Sequence, residues 1–232
     1  MNKIAVVTAL VGVDPASVGN LYDIEHDSAD YYIFTDREDL KVPEGWNKRI
    51  LYPCSIDKKY EFRRACKTVK QLIHLLLPQY DYYIWHDSCN RIGADPREIV
   101  KVLGDGDMGL FQHPLQNGWK GEMQWAAGRE HPDLVQNTIH VLEKMLKVPN
   151  SGIVWETTGF VRKNNRKANE CCTMWNDLLT KFTSRDQVTL PAAIHFTKPK
   201  IVILPGSALS YGGNNRLIPN VSKTLNQMGL VR

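Results

Sequence analysis

The chain has 232 residues, of which 43% are hydrophobic and 23% are charged, and its formal net charge is +4. These values exclude a disordered tail, and they fit one large domain, or one domain with a short extension, around an ordinary core. A charge this small favours anionic ligands only weakly and does not by itself indicate a nucleic-acid-binding protein.

The sequence shows neither a signal peptide nor a membrane span. After Met1 we see no basic segment followed by a long apolar run and a small-residue cleavage site. No stretch approaches the roughly 20 apolar residues that cross a bilayer. The five cysteines are odd in number and lack the paired spacing of metal ligands. We therefore expect reduced, packed thiols and a cytoplasmic location.

Hydrophobic patterning in the first half of the chain predicts strands that alternate with helices. Apolar runs predict strands at 4–10, 31–35, 46–52, 82–85 and 107–112, and a helix begins at 95–96. Apolar residues at three- and four-residue steps predict a further helix over 61–77. Arg63, Arg64, Lys67 and Lys70 lie outside its apolar stripe, and we expect most of them on a solvated face.

The second half continues the pattern after one irregular stretch. Residues 113–129 are rich in Gly, Gln and Trp with weak periodicity, and a long irregular segment in a compact domain is usually functional. Helices are predicted at 132–148, 170–182 and 188–194, a strand or strand pair at 153–162, and a last strand at 201–204. No repeat or linker divides the chain, so we expect one α/β domain over 1–204 with a mostly parallel central sheet flanked by helices. Residues 205–232 would form a C-terminal tail that packs on or near the active site.

The bulky apolar strand at 82–85 ends abruptly in His86-Asp87-Ser88. A buried strand that ends in a carboxylate is typical of the crevice at the carboxyl edge of an α/β sheet, where ligands bind. Asp87 is well placed there to hold a divalent cation through oxygen. The alternative is that Asp87 or Ser88 caps the next helical turn.

The order of these motifs resembles a family of glycosyltransferase-like domains with members in plant Golgi proteins and in bacteria. The resemblance covers about residues 4–204 and is carried by WHD at 85–87, RDQ at 185–187, the Arg64/Lys67 pair and His113-Pro114. More distantly, the chain is similar to the GT-A nucleotide-sugar transferases. The resemblance implies a GT-A-like, Rossmann-like fold and transfer of a sugar from a nucleotide-sugar donor to an acceptor hydroxyl, on a glycan or another molecule.

The resemblance also implies roles for particular residues. Arg64 and Lys67 would neutralise the donor diphosphate, as cations do at phosphates. The other donor-binding residues would be His86, Asp87, Arg162 and Gln187. His113 and Trp119 would line the acceptor or sugar pocket, and the catalytic acids would be Asp186, Glu156 and Glu122.

Several of these positions have a simpler interpretation. Arg64 and Lys67 would then form a surface pair, His113 a hydrogen-bonded histidine at a strand end, and Asp186 the N-cap of the helix at 188–194. At Asp87 the family pattern of two acids is incomplete, because Trp85 stands two residues before it and Cys89 follows. Asp87 would therefore bind Mn²⁺ or Mg²⁺, alone or with a histidine, or bond the donor ribose.

Two other functions remain open at this stage. One is a transferase of the same fold that modifies a hydroxymethylated base in DNA, with the phosphate backbone held by cations of the basic turn and the tail: Lys163, Arg166, Lys167, Lys198, Lys200 and Arg216. The other is a non-catalytic nucleotide- or sugar-binding module that lost activity with its second acid. The sequence carries no signal of an oligomeric state.

Overall fold

The computed structural model describes residues 2–12, 22–52, 58–113, 118–128, 131–183, 185–206 and 217–218. The strands are β1 Ile4–Leu10, β2 Asp30–Thr35, β3 Trp46–Ile50, β4 Tyr82–His86, β5 Met108–Gln112, β6 Trp155–Lys163 and β7 Ile201–Ile203. The helices are α1 Lys58–Leu76, α2 Pro96–Leu103, α3 Gly118–Ala126, α4 Pro132–His140, α5 Arg166–Phe182 and α6 Asp186–Thr197. A π-helical turn, Val141–Met145, continues α4.

The described strands form one seven-stranded sheet in the order β3-β2-β1-β4-β6-β5-β7. Within it β6 runs antiparallel to both of its neighbours, and every other pairing is parallel. The predicted α/β domain with a mostly parallel sheet is confirmed. Because β6 is reversed, its first residues lie at the same edge as the carboxyl ends of β1 and β4, so three strands can contribute side chains to one crevice.

Apolar side chains cover both faces of the sheet. Every residue of β1 is buried, as expected for a central parallel strand. Alternate residues of β4 point to opposite faces: Trp85 packs in the cluster that contains Ile73 of α1, and Ile84 packs in the cluster that contains Ile99 of α2. The sheet therefore lies between a helical layer that includes α1 on one face and an apolar layer that includes α2 on the other.

The irregular segment expected at 113–129 contains the helix α3, with Trp119 and Met123 in the core. Its periodicity is weak in the sequence because the helix is short and because two glycines and one glutamine interrupt its apolar positions. The strand or strand pair expected at 153–162 is the single strand β6.

Few residues of the predicted C-terminal tail fall in the described part of the chain. Ile218 is fully buried, and its backbone oxygen accepts a hydrogen bond from Asn90 Nδ2 at 3.4 Å. A Cβ added to Gly159 would lie only 3.0 Å from Ile218, so glycine leaves room for this contact. The boundary at 204 and the packing of the rest of the tail stay predictions.

Four cysteines lie in the described ranges and all are free; Cys171 and Cys172 are buried side by side on α5. Among the helices of those same ranges, none has the length and apolar character to cross a membrane. The cytoplasmic location stays a prediction.

Candidate active site

A cleft of about 660 Å³ opens at the edge of the sheet where β1 and β4 end and β6 begins. This volume falls in the range of about 300–1,000 Å³ that is common for small-molecule sites. One wall comes from α1 and another from the junction of α5 and α6. The charged and polar lining of the cleft includes Lys67 and Lys70 of α1, Asp87 after β4, Thr158 of β6, and Arg185 to Gln187 at the junction.

The floor of the cleft holds two lysines and two aspartates in contact. Lys70 Nζ lies 2.9 Å from Asp186 Oδ2 and 3.2 Å from Asp87 Oδ1, and Lys67 Nζ lies 3.3 Å from Asp186 Oδ1. The Lys70 side chain is only 4% exposed, whereas that of Asp87 is 35% exposed. Lys70 is therefore buried and contacts both carboxylates, whereas Asp87 is the more solvent-accessible of the two residues.

The charges in this cluster stabilise one another. Burial would raise the pKa of Asp186, but the ammonium groups of Lys67 and Lys70 outweigh it and hold this pKa below its usual range. Burial would lower the pKa of Lys70, but Asp186 and Asp87 together keep that pKa above its usual range. For Lys67, burial prevails over the attraction of Asp186 and lowers its pKa. At neutral pH Asp186 is thus a fixed negative charge and Lys70 a fixed positive one.

The indole of Trp85 orients the Asp87 carboxylate. Trp85 Nε1 donates a hydrogen bond of 2.8 Å to Asp87 Oδ1, the same oxygen that faces Lys70. Trp85 and Asp87 can meet because residues two apart on a strand point to the same face. The contact gives Asp87 a role other than the helix-capping alternative.

Arg185 forms the second charged group of the cleft. Its Nη2 pairs with Glu122 of α3 and donates to Gln187 Oε1 at 3.0 Å. Its guanidinium carbon lies 5.1 Å from the centroid of the Trp125 ring, a cation–π distance. Trp125 itself is 56% exposed. Its ring therefore forms an exposed aromatic surface beside the cleft, in contact with an arginine whose position is fixed by Glu122 and Gln187.

Two buried polar atoms at the cleft lack a hydrogen-bond partner among the described residues. These are Thr158 Oγ1 and Arg185 Nε, and both residues line the cleft. Buried polar groups are nearly always satisfied, so unpaired atoms at a cleft are consistent with contacts that a ligand or water completes.

The structure brings four of the sequence-predicted site residues to the cleft wall: Lys67, Asp87, Asp186 and Gln187. A fifth, Glu122, is buried and is linked to the cleft through Arg185. The alternative in which Asp186 is the N-cap of the last helix is wrong: Asp186 is the first residue of α6, and Arg185 occupies the capping position without a side-chain capping hydrogen bond. The carboxylate instead turns toward the two lysines, whose charge is a stronger partner than backbone N–H groups.

Two predicted donor-binding residues lie elsewhere. His86 points to the opposite face of the sheet, where its Nε2 lies 3.1 Å from the Tyr22 hydroxyl, and burial lowers its pKa to about 4. Arg162 pairs in register with Tyr83 at the start of β4, far along the strand from the cleft. Its guanidinium is buried against His74 and Asn169 at 3.1 and 2.7 Å. Neither His86 nor Arg162 is therefore in a position to contact a ligand bound in this cleft.

Four further candidates do not line the cleft. Arg64 is exposed on α1. Trp119 is buried in the core with its Nε1 donating to Pro149 O at 3.3 Å. Glu156 is fully buried in β6, and the backbone N–H of His113 bonds Val154 O at 2.8 Å. Roles for these residues stay predictions and do not enter the function proposed below.

Sequence reasoning missed Lys70, Arg185 and Trp125. Lys70 was expected on a solvated face, yet it is 3% exposed, because the α5–α6 junction covers that side of α1 and brings Asp186 with it. One local signal was present, since Lys67 and Lys70 are three apart and lie on the same side of a helix. Arg185 belongs to the RDQ motif, but the resemblance implies roles only for its neighbours Asp186 and Gln187.

The cleft does not fit a metal ion held mainly by protein ligands. Within the described ranges there is no group of three or more His, Cys, Asp or Glu that could hold a metal. Among the cleft residues that the structure describes, the carboxylate on the exposed side is Asp87, and one of its oxygens already faces both the Trp85 indole and the Lys70 ammonium. An added cation on that carboxylate would meet the positive charge of Lys70.

Known glycosyltransferases and a glycosyltransferase-like family are similar to this chain. The model of the "TOD1/MUCI70, glycosyltransferase-like domain" family matches residues 55–203. Among solved structures, the apo bifunctional glycosyltransferase WbbM is similar with a TM-score of 0.54 at 14% identity, over 88% of this chain and 39% of that one. This chain thus spans about two fifths of the WbbM structure.

Mouse xyloside xylosyltransferase 1 in its apo form is also similar, with a TM-score of 0.50 at 9% identity, over 88% of this chain and 85% of that one. At these identities the two structures show a shared fold, that of GT-A-type glycosyltransferases. A search of curated protein sequences finds no significant match. The family match covers well over half of the residues, from the start of α1 to the end of β7, and includes every charged group of the cleft. The chain therefore belongs to the TOD1/MUCI70 glycosyltransferase-like domain family.

Proposed function

We propose that this protein is a nucleotide-sugar-dependent glycosyltransferase that uses the cleft at the ends of β1 and β4. The observation that carries the proposal is the cluster of Lys67, Lys70, Asp87 and Asp186 on the cleft floor. Displacing a nucleoside diphosphate from a sugar needs positive charge at the leaving phosphates and negative charge at the sugar, and this cluster offers both within one site.

On the donor side, Lys67 and Lys70 would face the diphosphate. Lys67 is the more accessible of the two, with a side chain 19% exposed. Asp87 would contact the donor from the exposed side of the cluster, where Trp85 holds its orientation. Phe62 and Gly12 form an apolar wall next to these charges, suited to the flat face of a nucleobase.

In the transfer step, Asp186 would face the donor sugar. The bond to the leaving phosphate breaks with positive charge developing on the sugar ring, as in other glycosyl reactions. A carboxylate kept ionised by two lysines stabilises that charge without taking up a proton. For the same reason Asp186 is a poor general base, since a good base has a pKa near the working pH.

On the acceptor side, Arg185, Gln187 and Trp125 would hold the hydroxyl-bearing molecule. We favour a glycan over DNA for a geometric reason. Two of the cations expected to grip a DNA backbone, Lys163 and Lys200, lie at the end of β6 and just before β7, which is the opposite edge of the sheet from the cleft. Lys163 donates to Gly104 O at 3.0 Å, and Lys200 is paired with Asp105. Phosphates held there would draw the duplex away from the reacting groups.

The direct test is a thermal-shift screen of nucleotide sugars, followed by chromatography of each ligand that stabilises the protein. A donor at about 100 times its dissociation constant should add about 2.7 kcal/mol to the free energy of unfolding. For a chain of this size that corresponds to a melting temperature higher by about 5–10 °C. Release of the matching nucleoside diphosphate, faster with added oligosaccharides, is the expected result.

Two outcomes would count against this function. If no nucleotide sugar raises the melting temperature and none is consumed, the cleft does not bind a donor. If a nucleotide sugar binds tightly but stays intact with every acceptor tried, the protein is the non-catalytic binding module.

A further inference from the structure

We propose that Lys70, together with Lys67, takes the place of the divalent metal ion at the donor diphosphate, so that this protein binds nucleoside diphosphates without a metal. The inference rests on the function proposed above and specifies how its donor site works.

The charge of the cluster favours a site without a metal ion. Two carboxylates and one divalent cation sum to zero, and so do the carboxylates of Asp87 and Asp186 with the ammonium groups of Lys67 and Lys70. The cleft therefore already contains the positive charge that a metal would bring to an acidic pair. A further divalent ion would leave the floor with two excess positive charges in a partly buried site, which is unfavourable before any ligand arrives.

The position of Lys70 is that of a cation shared by two carboxylates. Its ammonium lies between the two carboxylates, 2.9 Å from Asp186 and 3.2 Å from Asp87, which is the place of a bridging cation. An ammonium carries three N–H donors, and two of them are directed to these carboxylates. The third can donate to a phosphate oxygen, because Lys70 lines the cleft although it is almost fully buried.

The residue two positions before Asp87 also disfavours a metal ion. In the pattern of two acids this position supplies the second carboxylate, but here it is Trp85, whose indole N–H donates to Asp87 Oδ1. That oxygen thus receives a donor from Trp85 and faces the ammonium of Lys70. An indole N–H at this position uses a carboxylate lone pair that a metal ion would otherwise take.

The experiment is isothermal titration calorimetry of the full chain with UDP, GDP, ADP and CDP, once in excess EDTA and once in millimolar MnCl₂. At least one of the four should bind, with dissociation constants in the two buffers that agree within about threefold, a difference below about 0.7 kcal/mol. Titration of MnCl₂ alone should give no binding heat.

Three variants make the test specific to the lysines. Lys70→Met and Lys67→Met should each raise the dissociation constant in EDTA by about tenfold or more, because each removes a charge-assisted contact to phosphate. Lys163→Met is the matched control, since Lys163 lies at the other edge of the sheet and should leave binding unchanged. If Lys70→Met fails to fold, Lys67→Met still decides, because it leaves Asp186 paired with Lys70.

The outcomes separate the two proposals. Binding in MnCl₂ that is lost in EDTA overturns the metal-free site but leaves the glycosyltransferase proposal standing. Unchanged affinity of both cleft variants in EDTA also overturns the inference. If none of the four nucleotides binds in either buffer, the proposed function fails, and the inference fails with it.

Discussion

Replacing Asp186 by asparagine should affect both stability and catalysis, and the structure shows how to separate the two effects. Asp186→Asn keeps the size of the side chain but removes the carboxylate that both Lys67 and Lys70 contact, and Asp87 then remains as the carboxylate paired with Lys70. Removing one partner from a buried ion pair costs about 3–5 kcal/mol, because the other charge stays desolvated. We therefore expect a loss of that size in the free energy of unfolding, measured in urea.

The double variant Asp186→Asn/Lys67→Met removes one charge of each sign. It leaves Lys70 paired with Asp87, so we expect it to be about 2 kcal/mol more stable than Asp186→Asn alone. Stability should thus recover in part, while the negative charge at the sugar remains absent.

The catalytic role of Asp186 is measured by comparing kcat of the double variant with kcat of Lys67→Met, since both variants lack the same lysine. If Asp186 stabilises the transition state, kcat for donor consumption should be about 100-fold lower in the double variant, the usual effect of losing one preorganised electrostatic group. A kcat within about threefold of that of Lys67→Met would refute this role and leave Asp186 as a counter-ion for the lysines.

Three more predictions follow from the site and its surroundings. Asp87→Asn should abolish transfer with the fold intact, because the amide can still accept from Trp85 but loses its charge; wild-type turnover with full nucleotide affinity would disprove a donor role. Trp125→Ala should raise the acceptor KM and leave hydrolysis of the donor unchanged, whereas Phe196→Ala, also exposed but on the far side of α6 near α5, should change neither; equal effects of the two would remove Trp125 from the acceptor site. The pKa of His86 is lowered by burial to about 4, below its ordinary value of about 6.5, so the unfolded chain takes up a proton first as the pH falls. Because of His86, the free energy of unfolding should fall by about 2 kcal/mol as the pH is lowered from 7 to 5. In urea titrations, His86→Gln should lose less stability over this pH range than the wild type; an equal loss in both proteins would show that another group is responsible.

Strands such as β1 and β4 were predictable because they are runs of mostly apolar residues with clear ends. The long helix α1 was predictable because its apolar stripe repeats at helical spacing. Asp87 could be found for the same reason, since it ends such a run. The spacing of three from Lys67 places Lys70 on the same side of α1, but its burial could not be predicted. A lysine outside the apolar stripe looks the same in the sequence whether water or a carboxylate from a distant helix covers it. Arg162 failed in the opposite way: its strand was predicted, but the reversal of β6 that carries it away from the cleft leaves no local trace in the sequence.

The cluster on the cleft floor joins parts of the chain that are far apart: Lys70 and Asp186 are separated by 116 residues, and Lys67 and Asp186 by 119. During folding, α1 and the central strands can associate long before α5 and α6 are in place. Until Asp186 arrives, burying the ammonium of Lys70 is costly, so this side of α1 should stay hydrated while the rest of the core forms. Contacts of such long sequence separation form slowly. Nucleotide binding should therefore be among the last properties to appear on refolding, and a chain that ends before α6 should have most of the sheet but no donor site.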